Sequence, residues 1–192
     1  MGPNFGQPRP APIKLPKIPG MSAALMRKGV IPAAFMAALT GPLAVGTLER
    51  WEGNILSVYA DNLAGGLPTY CAGRTDTVAR VGTRLTSDTC REVNKITLLE
   101  YGYAVLECTT WDNLTPTRLV GLTIFAVNVG KQGACASQAV RQINAGNITQ
   151  GCNLIAYTPG GTPNWSFAGG KYIDGLHNRR KAERVLCLDV TA

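Results

Sequence analysis

The chain has 192 residues, 45% of them hydrophobic, with a formal net charge of +7 and a sequence pI near 9.3. That length suits one compact domain with a real core plus a tail or anchor, and it excludes two full domains. The positive charge favours a polyanionic partner, such as nucleic acid, anionic lipid or a bacterial wall polymer, without choosing among them. Six cysteines with no C-x-x-C pair, beside a single histidine, fit a zinc site poorly and fit disulfides in an oxidising compartment. Neither a metal nor a cofactor is indicated.

Residues 1–28 begin "MGPNFGQPRPAPIKLPKIPG", rich in proline and carrying Arg9, Lys14 and Lys17. This composition predicts a flexible, solvated, basic tail. Residues 29–48, "GVIPAAFMAALTGPLAVGTL", contain no charge over a length sufficient to cross a bilayer as a helix. Alanine, glycine and threonine dilute the strongly apolar residues, and Pro32 and Pro42 interrupt the helix, so insertion is only marginally favourable. Arg27 and Lys28 just before the segment predict a cytoplasmic N-terminus and place everything from about Glu49 outside. Two other readings stay open. One is a cleaved secretory signal ending near "AVG", which would strip the N-terminal turns from the helix that carries Glu52. The other is a buried core helix, unusual for a stretch with no polar face in so small a domain.

From residue 49 to 192 the pattern changes to that of a folded unit. "TLERWE" reads as a helix end stopped by Gly53. "SVYADNLAGGLPTYCAG" alternates around turn formers and predicts a hairpin, with Asp61 near its first strand and Thr69 on its return. "SDTCREVNKITLLEYGYAVLECTT" has a polar cap and helical periodicity, "TPTRLVGLTIFAVNVG" is an apolar helix with a Thr-Pro start, and "CASQAVRQINAGN" is amphipathic. The expected class is α+β: a mainly helical domain with a small β-hairpin lobe, preceded by the hydrophobic anchor helix. Helix end and hairpin together make a cleft wall that carries Glu52 and Asp61. Glycosidic cleavage needs such a pair of carboxylates, one to protonate the leaving oxygen and one to activate water or stabilise the cationic sugar.

The segment "WEGNILSVYADNLAGGLPTYCAGRT" resembles the E-G-x(6)-Y-x-D…T…G segment of the phage-type lysozymes, glycoside hydrolase family 24. Residues 119–147 resemble that family's central helix pair, and "GGKYIDGLHNRRKAERVLC", residues 169–187, its C-terminal "GL-x-NRR-x-AE" segment. With the weak Ala/Gly-rich anchor in front, the chain is similar to the signal-arrest-release endolysins with which phages lyse their hosts. The resemblance implies a lysozyme-like fold and hydrolysis, with inversion, of the β-1,4 bond between N-acetylmuramic acid and N-acetylglucosamine. It implies Glu52 as general acid, Asp61 as the group that holds or activates water, and Thr69 as a further ligand of that water. Arg179 matches an arginine that pairs with the catalytic glutamate, and Asn128 is a cleft-side candidate for binding sugar amides. The loop "NLAGGLP" is about two residues longer than the usual pattern, which leaves Thr75 as the alternative to Thr69, and Arg74 stands where many relatives have histidine.

The partners implied are peptidoglycan and, before release, the host inner membrane through residues 29–48, with no nucleic acid and with the protein a monomer. The enzyme would start in that membrane with its catalytic domain periplasmic and would then be released into the periplasm. A non-catalytic basic wall-binding or membrane-disrupting protein is the alternative function, and it would not need Glu52. The basic cluster Arg179, Arg180, Lys181 and Arg184 is expected to spread around one helix end and assist binding of the anionic wall. His177 is expected at the surface. Tyr157, Trp165, Phe167 and Tyr172 either stack on sugars or pack against the C-terminal helices. Six cysteines allow 15 pairings, of which Cys135 with Cys152 is the preferred single pair.

Overall fold

The computed structural model describes residues 13–190. An extended stretch leads into α1 (Ala23–Arg27), α2 (Ala33–Thr40) and α3 (Pro42–Glu52). Strands β1 (Ile55–Asp61), β2 (Leu67–Cys71) and β3 (Arg74–Thr75) then form an antiparallel sheet in the order β1-β2-β3. Five helices follow, α4 (Ser87–Cys108), α5 (Pro116–Val129), α6 (Lys131–Ala136), α7 (Gln138–Asn144) and α8 (Ile148–Ala156). A two-stranded ribbon of β4 (Phe167–Ala168) and β5 (Lys171–Tyr172) precedes α9 (Asp174–Leu188). The mainly helical domain with a small β lobe is therefore as expected.

The local signals act where the sequence puts them. Gly53, at φ 77°, adopts a backbone that other residues resist and so ends α3 immediately after Glu52. Thr86, Thr115 and Ser137 each accept a backbone N–H at the start of α4, α5 and α7, and Pro116 occupies the first turn of α5. Helix α5 is the axis of the domain, burying Leu119, Val120, Leu122, Ile124, Phe125 and Ala126. Helix α4 joins the lobes: Cys90 and Val93 enter the β-lobe core with Val58, Tyr70 and Leu85, whereas Val105 and Leu106 enter the main core.

In this folded form the uncharged segment belongs to the core, in two pieces broken at Gly41 and Pro42. Phe35 and Leu39 join the main cluster, and Ala44, Val45 and Leu48 pack with Leu98, Val120 and Ile124. Leu39 lies where a Cβ on Gly102 would stand, 2.6 Å away. Among the described residues no helix is long and apolar enough to cross a membrane.

Residues 1–12 of the expected tail lie outside the described residues. Ile13 packs on the β-lobe cluster, and Leu25 is fully buried in the main core. Ser22 Oγ donates to Glu107 at 2.6 Å, and Lys28 Nζ donates to the carbonyls of Leu106 and Thr109, satisfying the C-terminal end of α4. Residues 22–28 are thus docked rather than solvated, because Leu25 and the lysine both find partners on α4.

The disulfides are Cys71–Cys90, Cys108–Cys135 and Cys152–Cys187, so the expected Cys135–Cys152 pair is corrected. Helix α6 lies beside the end of α4, which brings Cys135 to Cys108. Helix α8 packs on α9, which brings the buried Cys152 to the equally buried Cys187.

Helix α9 approaches α5 at Gly121, where a Cβ would sit 2.8 Å from the Cys187 amide nitrogen and 2.9 Å from the Glu183 carbonyl oxygen. Gly121→Ala therefore forces the two helices apart and destabilises the domain by about 1–3 kcal/mol. Urea unfolding of the oxidised protein checks this, and an unchanged midpoint would refute the close approach.

Candidate active site

Glu52 is placed by its own helix end. One turn earlier, Glu49 Oε1 accepts from Asn94 Nδ2 at 3.1 Å, and Asn94 Oδ1 in turn accepts the Ala72 N–H at 3.3 Å. This buried amide on α4 fixes α3 against β2, so the carboxylate beyond it has little freedom.

Arg179 Nη1 stands 2.7 Å from Glu52 Oε1, the pairing that the resemblance implies. The same guanidinium donates through Nε to Glu183 at 2.9 Å and through Nη2 to the Ile124 carbonyl at 3.3 Å. Arg180 Nη2 donates to the same Glu183 oxygen at 2.7 Å, and its guanidinium lies 5.1 Å from the Phe125 ring centroid. Arg180 and Glu183 are both 0% exposed. Burial pushes Glu183 up to about 7 against the opposing pull of the two arginines, and burial also brings Arg180 down to about 10.

A cavity of about 240 Å³ opens beside Glu52, lined also by Arg74, Thr75, Thr97, Glu100 and Tyr101. Glu100 bridges Arg74 at 2.9 Å and Lys131 at 2.6 Å, tying β3, α4 and α6 together across it. Burial pushes Glu100 up, but the Lys131 and Arg74 charges outweigh it and hold the carboxyl below its ordinary range.

Asp61, Thr69 and Thr75 lie on the sheet. Tyr59 pairs with Thr69, Thr69 pairs with Thr75, and Asp61 pairs with Leu67. Because side chains alternate along a strand and cross-strand partners share a face, Tyr59, Asp61, Thr69 and Thr75 all belong to one face, with Asp61 diagonal to Thr69. Asp61 Oδ1 accepts the Leu63 N–H at 2.9 Å, which fixes the carboxylate over the hairpin turn. Thr69 is 2% exposed and its hydroxyl donates to the Leu67 carbonyl, whereas its partner Thr75 is exposed and lines the cavity beside Glu52. Asn128 is exposed near the end of α5, next to the cavity-lining Val127. The structure thus brings Glu52 and Arg179 into contact and gathers Asp61 and both threonines on one sheet face. Asp61 is not among the residues that line the cavity.

Two expectations are corrected here. Arg179 and Arg180 are buried in ion pairs rather than offered to a wall polymer, leaving Lys181 exposed and Arg184 donating to Asn153 at 2.6 Å. His177 is half-buried, with Nδ1 3.2 Å from Ser166 Oγ and its ring against Tyr157 and Tyr172. Trp165 meets Phe125 edge-on with centroids 5.4 Å apart, so this aromatic packs on α5. Sequence reasoning missed Glu183, although its spacing three and four residues after the two arginines is the signature of ion pairs on one helix face.

Residues 49–183 match the phage lysozyme family profile. The chain belongs to the phage lysozyme family. A SAR-endolysin of Bacteriophage PS119 is 30% identical over 150 residues, which cover 78% of this chain and 82% of that protein. A mutant of P22 lysozyme superposes with a TM-score of 0.64 at 27% identity, covering 77% of this chain and 97% of its own. The muramidase domain of SpmX from Asticaccaulis excentricus shares the fold with a TM-score of 0.64 at 23% identity, over 78% and 97% of the two chains. This phage lysozyme homologue is accordingly a glycoside hydrolase of the endolysin type, acting on peptidoglycan.

The raised Glu183 makes a pH prediction. Its folded-state value near 7 lies above the ordinary 4.5, so the folded chain holds this proton more tightly than the unfolded chain. That contribution is complete below about pH 4.5 and is lost as pH rises through 7. Relative to Glu183→Gln, the wild type therefore loses about 1–3 kcal/mol between pH 4.5 and 7.5, read by urea unfolding of both proteins across that range.

Proposed function

We propose that this chain is a signal-arrest-release endolysin that hydrolyses the β-1,4 bond between N-acetylmuramic acid and N-acetylglucosamine with inversion. Glu52 protonates the leaving glycosidic oxygen, Asp61 activates the attacking water, and a threonine of the same sheet face, Thr69 or its partner Thr75, holds that water. The observation that carries this reading is Glu52 itself. It ends a helix beside an open cavity, is fixed by an arginine from α9, and faces the lobe that supplies Asp61. Asn128 and the exposed rim of the cavity contribute to holding the glycan.

Residues 29–48 serve as the releasable anchor. In the folded form Phe35, Leu39, Ala44, Val45 and Leu48 fill the core, each burial worth roughly 1.5–3 kcal/mol for the larger side chains. While those residues lie in a bilayer, Leu98, Val120 and Ile124 lack their partners and the α3 end that carries Glu52 cannot seat against α4. Release fills the core and sets the carboxylate in one step. Residues 13–28 contact the domain in this fold, so both flanks of the anchor are then on the same side of the membrane.

Cleavage of purified peptidoglycan by the full oxidised chain tests the catalytic assignment. Glu52→Gln and Asp61→Asn each lower kcat by about 10²–10⁴-fold, and the products expose muramic acid reducing ends. Wild-type binding without cleavage would instead support the basic wall-binding reading. Thr69→Ala and Thr75→Ala, assayed together, identify the water-holding threonine as the one whose loss lowers kcat with the fold intact.

The anchor has its own test. A Cβ on Gly46 meets nothing within 4 Å, whereas one on Gly41 would strike the Ala37 carbonyl oxygen at 2.8 Å. Gly46→Leu therefore strengthens membrane insertion without damaging the released fold. It shifts protein to the membrane fraction and delays lysis, and unchanged fractionation and timing would refute the anchor.

A further inference from the structure

Arg179 is shared between two carboxylates, and only one of them can reach substrate. Its Nη1 meets Glu52 at the cavity wall, and its Nε meets Glu183 in the interior. Arg180 is enclosed with them, its Nε and Nη1 lacking hydrogen-bond partners, and the second Glu183 oxygen lacks one too. Two buried cations call for two negative charges nearby. If Glu183 supplies one of them, Glu52 is free to hold a proton; if it does not, both guanidinium groups favour Glu52 as a carboxylate.

We propose that Glu183 is a positioning residue for the glycosidase reaction, one that neutralises Arg179 from behind so that Glu52 keeps its proton for the leaving oxygen. This inference rests on the assignment of Glu52 as general acid. Glu183 is fully buried and cannot touch the glycan, so its influence passes through the shared guanidinium alone. Burial pushes Glu183 up to about 7, so its charge faces Arg179 on the alkaline side of that value.

The other charges around the pair are already committed. Arg74 of β3 lines the cavity with Glu52, and it and Lys131 of α6 are both held by Glu100 of α4. On its own helix, Glu49 accepts from Asn94, and Arg50 lies over the Trp51 ring. Around α9, Arg118 of α5 donates to the carbonyls of Cys187 and Asn113, and Arg184 is bound to Asn153 of α8. Among the described residues, no other carboxylate contacts Arg179.

The experiment compares pH profiles of kcat and kcat/KM on purified peptidoglycan for the full oxidised wild type, Glu183→Gln and Glu183→Asp. Glu183→Gln moves the alkaline limb down by roughly one pH unit, so that kcat at pH 8 falls about tenfold while kcat near pH 5 and KM change little. Glu183→Asp, which restores the charge, returns the limb toward the wild-type position. A uniform loss at every pH, or an unmoved limb, overturns the proposal.

A Glu52→Gln control separates this failure from that of the catalytic reading. If Glu52→Gln retains wild-type activity, the acid assignment falls and this inference falls with it. If Glu52→Gln is inactive and the limb does not move, only the role of Glu183 is refuted. Should Glu183→Gln fail to fold, carboxyl ¹³C titration of the wild type decides. Linked curves, with the Glu52 resonance bending at the Glu183 midpoint, support the proposal, and independent curves overturn it.

Discussion

The position of Glu52 at the cavity depends on residues 33–48 being inside the domain. Helix α3 carries its apolar half, Ala44, Val45 and Leu48, into contact with α4 and α5, and only then turns its last residue, Glu52, toward the cavity. The helix is too short to be stable alone, so its register comes from this packing. Glu49 and Asn94 add direction but little burial energy. A segment with alanine, glycine and threonine at half its positions suits this packing. It is apolar enough to fill a core, and its small residues let α2 and α3 pack closely on α4 and α5.

The second constraint is electrostatic. Replacing a buried ion cluster with hydrophobic residues often leaves a protein as stable or more so, so stability is a poor explanation for Arg179, Arg180 and Glu183 in the interior. Each has a geometric task instead. Arg179 reaches from α9 across α5 to Glu52, joining the C-terminal helix to the end of α3. Arg180 lies against Phe125, which also meets Trp165 edge-on, and Glu183 holds both arginines by one oxygen. Gly121 makes this possible, since any side chain there would push α9 and its charges away from α5.

Much of this was legible in the sequence. Thr115 with Pro116, Gly53 after Glu52, and the alternation around Asp61 are local signals, and the elements begin and end where those signals put them. The Glu52–Arg179 contact was legible only through the family's "NRR" block, because nothing local links residues on α3 and α9. What escaped was of the same long-range kind. The disulfide pairing depends on which helices pack, and α6 with α4 and α8 with α9 was not readable from six positions along a chain. The arginines of "NRR" were expected in solvent because arginine usually is; their burial follows from Glu183 a turn later, a pairing visible in the spacing but without meaning until α9 is known to lie against α5.

The N-terminal stretch shows how far composition misleads when a neighbour supplies partners. Proline and lysine predict a solvated chain, yet Ile13 rests on the β lobe near the start of α4 and Ser22 bonds Glu107 near its end. Seventeen helical residues from Cys90 to Glu107 span about 26 Å. Nine extended residues from Ile13 to Ser22 span about 28 Å at the polyproline rise. The two lengths match, so the segment can lie along α4 without slack. The partly buried positions Ile13, Pro16 and Pro19 recur every third residue, the period of that helix. Leu25 and Lys28 then close the stretch on the far end of α4. Both flanks of residues 29–48 therefore contact the folded domain, one along α4 and the other through α3.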